Sequence, residues 1–92
     1  MNDKFKAEKA KYTNKPDSEY INELTSFIAA RSAADFSKIH IILRNSDEIK
    51  TLISEFKNTI KNIDTFDSIR REKVKFHRKA KEIVDRRFNS EN

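Results

Sequence analysis

Phe36-Ser37-Lys38-Ile39-His40-Ile41-Ile42-Leu43-Arg44 is the stretch on which the fold turns. Wound as a helix, it gathers Phe36, Ile39 and Leu43; drawn out as a strand, it puts Ile39, Ile41 and Leu43 on one side. An apolar run this short carries both periodicities, so spacing alone leaves the two open. Hydrogen bonding favours the helix. A lone strand leaves its N–H and C=O groups without a ladder, and nothing else in the chain reads as a partner strand. The stretch is expected to be a short helix.

Working outward, Asn45-Ser46-Asp47-Glu48 has the spacing of a capping box, with Asn45 as cap and Glu48 reaching back. Ile49, Leu52, Ile53, Phe56 and Ile60 follow at helical spacing and predict a helix to about Asn62. Asp64 is expected to cap a last helix reaching about Phe88, with Phe66, Ile69, Phe76, Ala80, Ile83 and Val84 on its apolar face. Upstream, Pro16 is followed by Asp17-Ser18-Glu19, acids where a helix dipole favours them. Tyr20, Ile21, Leu24, Phe27 and Ile28 then predict a helix over about 18–33. Residues 1–15 hold five lysines against Asp3 and Glu8, with only Phe5, Ala7, Ala10 and Tyr12 apolar, and read as a basic, flexible arm. The expected architecture is all-α: an arm at 1–15, then one compact domain at 16–92 of three to four helices.

Composition agrees with this. The 92 residues allow one domain. The absence of glycine removes the usual residue of primed hairpins and phosphate-cradling loops. Without cysteine there is no disulfide and no thiolate metal site. Apolar runs such as Phe27-Ile28-Ala29-Ala30 and Ile41-Ile42-Leu43 are far short of a membrane span, and Met1 to Lys6 has the charge pattern of no signal peptide. A cytoplasmic location without a membrane partner is expected. Thirteen Lys, eleven Ile and eight Asn point to an AT-rich genome, such as that of a low-GC bacterium, a phage or another mobile element.

Charge is the best functional clue. Between Arg70 and Lys81 seven cations stand against Glu72 alone, and five of the seven arginines lie between Arg70 and Arg87. On a helical wheel Arg71, Lys75, Arg78, Lys79 and Arg86 point away from the apolar stripe, with Arg70 leading them; Lys73 and Arg87 fall in the apolar sector, where their stems pack and their heads snorkel. A basic helix face is a footprint of phosphate binding, and the arginine fork matches phosphate oxygens. Arg70, Arg71, Lys75, Arg78, Lys79 and Arg86 are therefore the candidate nucleic-acid contacts, although a solvated surface or a protein contact would use the same residues.

Other chemistry finds no constellation. His40 and His77 share no ligand spacing with each other; His77 is expected beside the basic face and His40 partly buried. Pro16-Asp17 with Glu48-Ile49-Lys50 echoes a metal-nuclease pattern, but both fall at expected helix starts rather than strand ends. No nucleophile is paired with a base. Neither an enzyme nor a cofactor or metal is expected. Val74 and Ile41 are left off the apolar stripes, which leaves room for a homodimer.

From Lys38 onward, the alternating segment, the capped helix and then Asp64-Thr65-Phe66-Asp67-Ser68-Ile69-Arg70 resemble a ribbon-helix-helix repressor over about half the chain. The resemblance implies a strand paired across a dimer, with Lys38, His40 and Arg44 facing bases. The leading expectation is instead a small nucleic-acid-binding accessory or regulatory protein that contacts the phosphate backbone through its last helix. The alternatives are that repressor-like DNA-binding dimer, and an adapter or inhibitor of phage or mobile-element type docking the same helix on an acidic protein.

Overall fold

The structure, a computed structural model, describes residues 3–91. Its elements are α1 (Asp3–Thr13), α2 (Asp17–Ala29), α3 (Phe36–Arg44), α4 (Asp47–Lys61) and α5 (Phe66–Glu91), with no strand among the described residues. The helical period wins at 36–44. Ile39 and Leu43, one turn apart, are fully buried, whereas Ile41 points outward and is 53% exposed. Asp35 caps the helix by accepting from the Lys38 N–H at 2.9 Å. The ribbon that a repressor-like dimer needs is therefore a helix.

Five helices replace the expected three to four, because the arm is not an arm. Phe5 is only 5% exposed and meets the Phe66 ring edge-on at 5.1 Å. Lys9, one turn on, donates from Nζ to the carbonyls of Lys61 and Ile63, both at 2.8 Å. These lie at and just beyond the carboxyl end of α4, where a cation satisfies free carbonyls and complements the dipole. Tyr12, the next residue on that face, meets Phe56 edge-on and accepts a 2.6 Å hydrogen bond from the Tyr20 hydroxyl on its carbonyl. Phe5, Lys9 and Tyr12 thus tie α1 to α4, to the α4–α5 link and to the start of α5; Met1 and Asn2 lie outside the described residues.

Links are short and their caps differ from expectation. Between α3 and α4 only two residues intervene. Asn45 closes α3, its Nδ2 donating to the Ile41 carbonyl, and Ser46, fully buried, opens α4 by accepting from the Ile49 N–H at 3.3 Å. Asn45 is thus occupied with the helix behind it, and Glu48 reaches across to Arg86 instead of back to a cap. Before α5, Thr65 rather than Asp64 supplies the cap, its Oγ1 accepting from the Ser68 N–H at 3.1 Å. Helix α2 ends at Ala29, short of 33, and Arg31 folds back so that its guanidinium lies 3.9 Å from the Phe27 ring centre. No described residue has a positive φ, as expected of a chain without glycine.

Helix α2 packs on α3 and α1 on α4; the long α5 lies against α4 and touches α2 and α3. At the centre Phe56 and Phe76 stack at 4.3 Å, and Tyr20 meets both rings edge-on. Around them Leu24, Ile28, Ile49, Ile53, Ile60 and Val84 close the core. The body measures 50 × 21 × 19 Å. No helix among the described residues is long and apolar enough to cross a membrane.

Candidate nucleic-acid interface

The apolar stripe of α5 runs through Ile69, Phe76, Ala80, Ile83 and Val84, all buried, and this fixes which residues turn outward. On the outer side, Arg70, Arg71, Lys75 and Arg78 surround Val74, which is 52% exposed, and the five line a shallow hollow of about 320 Å³. Arg70 pairs with Asp67 at 2.6 Å, both largely exposed, and exposed Lys75 with partly buried Glu72 at 3.5 Å, both pairs along the helix. Such pairs contribute little and yield readily to a stronger anion. Arg71 donates to the Ser68 hydroxyl at 3.2 Å, and Arg78 has no ion pair among the described residues.

The other two expected contacts lie elsewhere. Lys79 and Arg86 line a groove of about 570 Å³ between α4 and α5, together with Asp47, Glu48, Glu55 and Glu82 and with Leu52 and Ile83. Arg86 holds Glu48 there at 3.0 Å. A helix turns by 100° per residue, so Lys79 swings from the outer face toward α4 although it follows Arg78 directly. Four of the six residues are thus brought together and two border an acidic groove, with Lys75 at the boundary, where it and Lys79 also line a small hollow against α4 with Glu55 and Glu72. Of the pair placed in the apolar sector, Lys73 holds its ammonium 5.9 Å from the Tyr12 ring centre, and Arg87 is exposed.

Sequence reasoning left Val74 as a spare apolar residue. Its signal was the company it keeps, with cations at the positions four and three before and one and four after. The three residues that the ribbon reading aimed at bases are otherwise engaged or dispersed. His40 is half-buried, as expected, and meets the Asn22 side chain at 3.1 Å, while Lys38 and Arg44 are exposed on α3.

His77, expected beside the basic face, turns inward from it and is partly buried. Its ring packs on Phe27 at 4.7 Å and on Phe76 at 5.7 Å. Burial pushes its pKa below the usual histidine value; Lys73, Arg31 and Lys15 push the same way and Glu23 opposes them. The unfolded chain therefore takes up this proton at a higher pH than the folded one. The contribution of neutral His77 is complete above about pH 6.5, the unfolded value, and is lost as pH falls from there through the lower folded value. Melting temperature should accordingly fall between about pH 7 and pH 5, and His77→Phe should flatten that part of the profile. An unchanged slope in the variant would locate the pH dependence elsewhere.

Among the described residues, no three His, Asp or Glu side chains gather where they could hold a metal ion. Comparison with protein-family models, with curated proteins and with solved structures finds no match to the chain.

Proposed function

We propose that this chain is a small, non-catalytic nucleic-acid-binding protein that grips the phosphate backbone with the outer face of α5. The observation that carries the reading is the cluster Arg70, Arg71, Lys75 and Arg78, exposed along one helix, with opposing carboxylates only in pairs within the helix. From Arg70 to Arg78 the helix rises about 12 Å. Duplex DNA carries a phosphate for every ~1.7 Å of its axis, so four contacts fit within that span. Sequence readout should be slight, because residues 70–81 contain no Asn or Gln to meet base edges. Lys79 and Arg86, at the edge of the acidic groove, contribute less.

Polarisation assays on random duplex, single-stranded DNA and structured RNA test this. Four phosphate contacts give a slope of about −3.6 for log affinity against log salt on duplex DNA. Replacing Arg71, Lys75 and Arg78 together by Glu should abolish binding to every sequence alike while leaving the helical spectrum intact, since all three are exposed. Absence of binding to all three probes at about 50 mM salt, where such contacts are strong, refutes the reading. The second reading, docking on an acidic protein, is favoured by exposed Val74, for which a phosphate backbone has no use.

A further inference from the structure

The outer face of α5 and the α4–α5 groove are complementary to each other. One is an exposed valine among four cations. The other combines Leu52 and Ile83 with four carboxylates against two cations. We propose that the groove of one copy of this chain receives the Val74 face of a second copy, with Arg71 and Arg78 of one facing Glu55 and Glu82 of the other.

Two further observations support this occupant. The groove already holds an arginine, because Glu48 takes the Arg86 guanidinium at 3.0 Å, so its carboxylates accept the kind of group the second copy would bring. Arg78 and Glu82 are four residues apart on α5 and both exposed, so the cationic face and the acidic wall of the groove adjoin along one side of the helix. The contact joins unlike surfaces, the face of one copy and the groove of the other. Both surfaces are small beside the ~800 Å² per partner of a stable interface, and the net charge of +5 opposes approach, so association is weak and concentration-dependent.

Phosphate would compete for the Val74 face but has no use for the acidic groove, so variants in the groove separate this proposal from the preceding one. Sedimentation equilibrium of the full chain supplies the measurement. At about 50 mM salt the weight-average mass should climb above that of the monomer in the high-micromolar range, and at about 500 mM, where screening is severe, it should return to the monomer. Arg71→Gln/Arg78→Gln and Glu55→Gln/Glu82→Gln, all exposed positions, should each stay monomeric alone. Mixed in equal amounts, they should form a one-to-one complex that grows no further, since only one groove and one matching face remain intact. A wild type that stays monomeric at low salt overturns the proposal. So does an association that survives the groove substitutions.

Discussion

Removing residues 1–15 is expected to abolish cooperative unfolding rather than merely trim a tail. The deletion strips Phe5 from the core and Tyr12 from Phe56, takes the acceptor from the Tyr20 hydroxyl and uncovers the carbonyls that Lys9 holds at the end of α4. Truncating a buried phenylalanine alone costs about 3–5 kcal/mol. A whole domain of this size is stable by only ~5–15 kcal/mol. The milder probe is Phe5→Ala. At about 4–8 °C per kcal/mol for a domain of up to ~100 residues, a loss of ~3 kcal/mol lowers the melting temperature by roughly 12–24 °C. Thermal melts followed at 222 nm decide it: a truncated chain that unfolds at the wild-type temperature would return these residues to the status of a loose arm.

Phe76→Ala should be at least as damaging as any other single change. Phe76 stacks on Phe56 at 4.3 Å and takes the edge of Tyr20 at 5.6 Å, so one ring joins α5 to both α4 and α2. Its removal should cost about 4–5 kcal/mol, the cavity term of a large aromatic. Aromatic pairing of about 0.5–1.5 kcal/mol sits within that figure. Val74→Ala, two residues earlier but outward-facing, should stay within about 0.5 kcal/mol. Chemical denaturation of the two variants side by side is the measurement. Equal losses would mean that Val74 is not the exposed residue described.

The apolar stripes of α2, α4 and α5 were legible because each places its large residues at three- and four-residue spacing, and the structure buries the same residues: Tyr20, Ile21, Leu24 and Ile28, then Ile49, Ile53, Phe56 and Ile60, then Ile69, Phe76, Ala80, Ile83 and Val84. Helix α1 was not legible, because its face is Phe5, Lys9 and Tyr12, and a lysine between two aromatics counts against burial. Only the position of the α4 carboxyl end shows that this ammonium has carbonyls to meet. The caps failed by a single residue for a related reason. Asn45 and Ser46 both suit an N-cap, and the choice depends on Asn45 being taken by the helix behind it. For the candidate interface, a helical wheel of α5 selects five outward cations, to which Arg70 is added, but it is drawn without a neighbour. The presence of α4 beside α5 draws Lys79 and Arg86 to the acidic groove, with Lys75 at the boundary between it and the outer face.

The proportions of the body bear on how it moves. Helix α5, 26 residues and about 39 Å long, fits only along the 50 Å axis, since the other two extents are 21 and 19 Å. A molecule so shaped spins about that axis faster than it turns end over end, and spinning leaves the direction of α5 unchanged. Helical N–H vectors lie nearly parallel to their helix, so those of α5 reorient at the slow end-over-end rate, whereas vectors lying across the rod sense the faster spin as well. An encounter along the flank of α5 meets a surface that sweeps round quickly while its long direction persists, giving an extended partner more than one chance to find alignment in each approach.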